Sequence, residues 1–287
     1  MVEISASQVK ELREKTGLGL MDCKKALQMS NGDIELAIEE LRKTSGLKAS
    51  KKSGRSAADG VIGSHSNELG SCIVEVNCET DFVARDDSFK AFVAEVILEV
   101  ANQKDLSLEE LLKNSLEEKR EKIVQKLGEN IVVRRIARSV ITSECSDLYI
   151  HSTNKIGAII SLEGGNKELA RDIAMHAAAT DPLSVSPEDI PEEIISKERE
   201  IYKAQSEDTG KPAEIVEKMI EGKIRKYLSE VSLTEQNFVK DPSKKISDLL
   251  NENNARIIGY TRFEVGEGIE IKKVDFATEV MSQIKSS

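Results

Sequence analysis

The spacing of apolar residues changes along this chain, and that change constrains the fold more than any other feature. In the first 45 residues apolar side chains recur in helical steps. Val9 and Leu12 form one stripe, a second helix carries Met21, Ala26 and Leu27, and Ile34, Ala37, Ile38 and Leu41 form a further stripe. Steps of three and four place side chains on one face of a helix. From Gly60 the step drops to two: Cys72, Val74 and Val76 alternate with Ile73, Glu75 and Asn77, the pattern of a strand. Phe89 to Val100 returns to helical spacing, and Ile131 to Val140 reads as a strand interrupted by Arg134, Arg135 and Arg138. A chain carrying both periods holds helices and strands together.

Punctuation refines the reading. Ser5 and Gln8 have capping-box spacing, with Ile4 and Val9 placed as a hydrophobic staple. Thr16-Gly17-Leu18-Gly19 and Asn31-Gly32 stop the first two helices. Thr44 to Gly60 is rich in Lys, Ser, Gly and Ala, which predicts a linker, with nucleic-acid contact as the less favoured alternative. Ser107 and Ser115, each with Glu three residues on, predict two further helix starts.

One segment recurs. His65-Ser-Asn-Glu-Leu-Gly70 followed by SCIVEVNC resembles His151-Ser-Thr-Asn-Lys-Ile-Gly157 followed by AIISLEGG. Each predicts strand, turn and strand leading to a helix, the second helix being Leu169 to Ala179, which suggests an internal duplication. Beyond it, the pairs Ile194/Ile201 and Ile195/Tyr202 are spaced by seven, and Val216, Met219, Ile220, Ile224, Tyr227, Leu228 and Val231 continue a seam. The turn at Asp208–Pro212 folds that seam into a helical hairpin, fit either for self-association or for pairing with itself. A short helix (Ser243 to Asn251), a strand (Ile257 to Val265) and a final helix bearing Phe276, Val280, Met281 and Ile284 close the chain.

Composition limits the chemistry. At ~150 residues per domain, 287 residues allow roughly two domains. Acidic residues outnumber basic ones 51 to 41, a net charge of −10, which argues against nucleic acid as the main ligand. The four cysteines form no CxxC pair and the three histidines have no metal-site spacing, so no metal or other cofactor is expected. No phosphate-binding loop, dinucleotide fingerprint or nucleophile elbow occurs. With no leader and no membrane-length apolar run, the expectation is a cytoplasmic binding protein, not an enzyme.

Five segments carry a family resemblance. TGLGLMDCKKAL (Thr16 to Leu27), VEVNCETDFVAR (Val74 to Arg85), MHAAATDP (Met175 to Pro182), GKPAEIVEKMIEGKIRKY (Gly210 to Tyr227) and RFEVGEGIE (Arg262 to Glu270) together resemble the elongation factor Ts family. That resemblance implies a three-helix, ubiquitin-associated-like head over residues 1–45 and a linker over 46–59. Two related α+β core subdomains follow, one over 60–140 and the other over 141–186 and 232–266. An antiparallel coiled-coil hairpin is inserted at 187–231, and a C-terminal helical module covers 267–287. The implied function is guanine-nucleotide exchange on the GTPase elongation factor Tu during translation elongation, with GDP released by disturbing the Mg/phosphate site. The implied partner is elongation factor Tu, without nucleic acid or membrane; core and hairpin offer a route to a homodimer.

The resemblance also implies contact residues. Asp81 and Phe82, flanked by Thr80 and Val83, look like the family's wedge beside the GTPase Mg²⁺ region; from residue type alone, without that resemblance, the favoured reading is a helix N-cap followed by a core aromatic. His176 lies in a His-Ala-Ala-Ala run where the family has His-Val-Ala-Ala, and the alternative is a satisfied histidine on a helix face. Leu20 and Met21 stand where the family commonly has two Met; they would contact a GTPase helix, or pack within the head. Phe276 and Val280 would add a contact, or dock on their own core. A dimeric helical adaptor without exchange activity is the rival reading.

Overall fold

A computed structural model describes residues 4–67, 70–103, 105–206 and 212–270. Phe276, Val280 and the expected C-terminal helix lie outside these residues, as does most of the expected turn at 208–212. The chain is mixed α+β, with eleven α-helices and small sheets among the described residues. It divides into two compact units. One takes the described parts of Met1–Gly63, Val74–Ile136 and Glu264–Ser287; the other takes those of Ser64–Ile73 and Ala137–Phe263.

The first unit opens with α1 (Ala6–Thr16), α2 (Leu20–Met29) and α3 (Ile34–Lys52). Ser5 forms the expected capping box with Gln8, and Gly17 ends α1 at φ 70°, a left-handed value that glycine adopts without a Cβ penalty. Val9, Leu12, Leu18, Cys23, Ala26, Leu27, Ala37 and Leu41 form a small core, with Ile4 packed against it. The expected linker is a finding of a different kind. α3 runs on through it to Lys52, burying Ser45 and Ala49. Apolar spacing missed this because the buried face is made of small residues. α3 packs on α7 (Glu117–Leu127), where Ser45 donates to Gln125 and Arg42 pairs with Glu118.

Strands β1 (Asp59–Asn67), β2 (Gly70–Cys78) and β3 (Val132–Arg138) form a sheet in the order β1-β2-β3. After β2 come α4 (Asp81–Arg85) and α5 (Asp87–Asn102). α5 lies so close to the strands that a Cβ at Gly63 would stand 2.7 Å from Val93 Cγ1 and 3.1 Å from Val74 Cγ1. Ser107 caps α6 (Leu108–Leu111) with Glu110 as expected, but no second start occurs at Ser115. The chain winds on through a π-helical turn, Leu112–Leu116, directly into α7.

In the second unit, β4 (Cys145–Ile150) pairs antiparallel with β5 (Ile156–Glu163), Cys145 opposite Leu162 and Ile150 opposite Gly157. β8 (Arg256–Glu264) lies on the other side of β5. The strand, strand, helix order of β1-β2-α5 thus recurs as β4-β5-α8, with α8 spanning Lys167–Thr180. Ala158, Ile160 and Leu162 of β5 pack with Leu169, Ile173, Ala174 and Ala177 of α8, and with Leu233, Phe238, Ile246 and Leu250. α9 (Glu192–Ala204) and α10 (Ala213–Val231) pack on each other, with Lys223 Nζ 5.1 Å from the centre of the Tyr202 ring. A small antiparallel pair, β6 (Asn237–Phe238) with β7 (Asp241–Lys245), precedes α11 (Ile246–Glu252). The expected helix at Ser243 therefore begins three residues later, because residues 243–245 belong to a strand.

Candidate partner-binding site

The chain leaves β2 through Cys78, Glu79 and Thr80 and makes a single helical turn. Thr80 is extended (φ −130°, ψ 155°) and its Oγ1 accepts the Val83 N–H at 3.4 Å, the capping arrangement expected of Thr ahead of a helix. Asp86 ends α4 and caps α5, its Oδ1 accepting from Ser88 N at 2.7 Å and Phe89 N at 3.3 Å. These bonds, the Ser88 N–H foremost, hold the Asp86 carboxyl below its usual range. α4 is thereby fixed at both ends although five residues are too few for a helix to persist alone.

Of its side chains only Ala84 is buried. Val83 is half-buried, and Phe82 is 81% exposed. The core-aromatic alternative for Phe82 is overturned. Leaving a Phe in water forgoes about 2 kcal/mol of burial free energy, so its placement has no folding rationale. Asp81 pairs with Arg85 one turn on, Oδ2 to Nη2 2.8 Å, at the surface. Thr80, Asp81, Phe82 and Val83 therefore form one projecting feature.

Leu20 and Met21 begin α2 and are 54% and 66% exposed. The buried face of α2 is Cys23, Ala26 and Leu27, so packing within the head is overturned for both. Met29 and Leu36 extend the exposed apolar surface of the head.

His176 differs. It is fully buried on α8, in the second unit. Nε2 bonds Gln236 Oε1 at 2.9 Å, and Nδ1 accepts the Val239 N–H at 3.3 Å, which together specify the neutral Nε2–H tautomer. Thr180 Oγ1 also donates to Gln236 Oε1, at 2.9 Å. Burial pushes the imidazole pKa below its usual value, against the opposing effect of the Gln236 bond. In this chain His176 is the satisfied histidine.

Two arrangements were not anticipated. Glu75 on β2 is completely buried, yet its oxygens accept from Arg134 Nη1 (3.0 Å), Arg135 Nε (2.5 Å), Asn77 Nδ2 (3.0 Å) and Gly266 N (2.8 Å). Burial pulls its carboxyl upward, but the Gly266 N–H and these other donors outweigh it and leave the pKa low. The available signal was the pair Arg134-Arg135 in an apolar strand. The other arrangement joins Glu79 and Thr80 to Glu129 and Asn130, and nothing in local spacing signalled it. Among the described residues no group of three or more His, Cys, Asp or Glu could hold a metal ion, and no helix is long and apolar enough to cross a membrane.

Fold and site define an α+β protein that holds one aromatic in solvent on a doubly capped turn and bares a second apolar patch on a helical head, the form of a protein-binding factor. A profile of the family described as Elongation factor TS matches residues 79–267. The chain is similar to elongation factor Ts of Hahella chejuensis, 54% identical over 287 residues (99% of this chain, 100% of the relative). It is also similar to the Marinobacter nauticus protein of that name, 52% identical over 282 residues (98% and 97%). The Teredinibacter turnerae protein is 50% identical over 287 residues (99% and 98%). The chain belongs to the elongation factor Ts family.

Proposed function

We propose that this chain is a non-enzymatic guanine-nucleotide exchange factor of the cytoplasm. It binds elongation factor Tu·GDP and promotes GDP release during translation elongation. Family membership supports the role, and the exposure of Phe82 on α4 carries the mechanism.

An exchange factor must bind its GTPase better when the nucleotide contacts are broken, and coupling is reciprocal. Loosening GDP ~10⁴-fold requires about 5.5 kcal/mol of differential binding. A surface ion pair supplies ~0–1 kcal/mol, so an apolar wedge and a wide interface are needed. Phe82 supplies the wedge by burying in the partner the ring that it exposes here. Among the described residues Asp81 pairs with Arg85 at the surface, and exchanging that pair for groups around the partner's Mg/phosphate site loses little. Thr80 and Val83 shape the turn. Leu20 and Met21 give the head an apolar contact with the GTPase, and Phe276 and Val280 extend the contact set. His176 supports α8 from within, holding its partner-facing surface in register through Gln236 and Val239.

The test is stopped-flow release of a fluorescent GDP analogue from purified elongation factor Tu. Micromolar protein should accelerate release; a release rate that does not change leaves the adaptor reading in its place. Phe82→Ala should lower the accelerated rate at least tenfold, since losing ~1.4 kcal/mol of differential binding is tenfold. Unchanged helical circular dichroism should accompany it.

A further inference from the structure

α4 buries one small side chain, and its first turn is held from outside. Glu129 does this. It follows Gly128, the left-handed residue that ends α7. Its Oε2 accepts the backbone N–H groups of Glu79 and Thr80, each at 3.0 Å, and its Oε1 accepts the Thr80 hydroxyl at 2.6 Å. With that hydrogen committed to Glu129, Thr80 Oγ1 has a lone pair free for the Val83 N–H. The cap of α4 is thus oriented by a residue 49 positions away in sequence. The brace is reciprocal: Glu79 Oε1 accepts the Asn130 N–H at 2.6 Å, and Asn130 Nδ2 donates to the carbonyls of Arg55 and Ser53 at 2.8 and 3.4 Å. All of these residues belong to one unit.

Hydrogen bonds to an ionised carboxylate are shorter and about twice as strong as neutral ones. Here three of them converge on the two residues that precede Asp81. A side chain that must enter a partner binds better when its direction is set beforehand, because less freedom is lost on association. We propose that Glu129 is a positioning residue for exchange: its carboxylate fixes the Thr80 cap so that Phe82 stands out in the direction the partner meets. The proposal rests on the exchange reading above.

The test uses the full chain and GDP-analogue release from elongation factor Tu, titrated with wild type, Glu129→Ala, Phe82→Ala and the double variant. Glu129→Ala should raise the concentration for half-maximal acceleration about tenfold, with helical circular dichroism unchanged. Glu129→Gln keeps one acceptor oxygen and should fall between wild type and Ala. In the Phe82→Ala background, Glu129→Ala should add nothing, because the group it positions is gone. A purely structural Glu129 would weaken both backgrounds alike, and that result, or no effect in either, overturns the proposal. Should Glu129→Ala not fold, the Gln variant in both backgrounds carries the same comparison. Failure of wild type to accelerate release removes the exchange reading and this inference together. Acceleration that Phe82→Ala weakens but leaves measurable, with additive Glu129 effects, removes the inference alone.

Discussion

Phe82 and His176 are both set off by motifs in the chain, but the structure treats them in opposite ways. Phe82 projects, so Phe82→Ala should alter the urea midpoint by no more than about 0.5 kcal/mol equivalent while exchange falls, separating binding from folding. His176 is enclosed, and its lowered pKa makes stability depend on pH. An unfolded imidazole takes up a proton below pH ~6.5, whereas the native one resists it. Stability is therefore retained above that value and lost as pH falls from it toward the lower folded pKa, with a slope of at most ~1.4 kcal/mol per pH unit. Urea titrations from pH 7.5 to 5 should show wild type losing stability faster than His176→Gln; parallel curves would exclude His176 as the source. Residue type alone could not tell these two fates apart, because exposure is decided by neighbours distant in sequence. Met21 was no more legible: its position groups it with Ala26 and Leu27, yet the face that α2 buries is Cys23, Ala26 and Leu27.

At the scale of elements, apolar periods were reliable, as in α1, α5 and α8, and so was the capping box of α1. They failed where small or polar residues do the packing. α3 continues to Lys52 with Ser45 and Ala49 as its buried face, and the π-turn at Leu112–Leu116 bypasses a well-spaced Ser115. Glu75 is a third instance, a carboxylate completing an otherwise buried strand. Arg135 also reaches Glu267 Oε2 at 2.9 Å and the Glu264 carbonyl at 3.0 Å, so within the first unit the cluster ties β2 and β3 to Glu264 and the turn after it. Removing one partner of a buried ionic cluster leaves uncompensated charge and costs about 3–5 kcal/mol. Glu75→Ala should therefore lower the unfolding free energy by roughly 3 kcal/mol in equilibrium denaturation. A change below that of an ordinary surface substitution would show that the two arginines find water instead.

At the scale of the whole molecule, the homodimer to which the family resemblance offers a route through core and hairpin has a direct test. Ile201 on α9 and Ile215 on α10 are exposed. Sedimentation velocity across the micromolar range should show self-association that Ile201→Asp with Ile215→Asp abolishes; a wild type that sediments as monomer throughout would dismiss the dimer. By itself the sequence determined the α+β class, most helices and strands, the repeated strand, strand, helix order and the segments that carry the family. These follow from side-chain period and capping chemistry, which act over a few residues. Only the tertiary structure decided that Phe82 stands in water, that His176 does not, that Glu75 is ringed by donors and that Glu129 orients the cap of α4. The reason is physical: burial and hydrogen-bond satisfaction depend on groups brought together from 49 to 191 residues apart, and no local pattern encodes such a meeting.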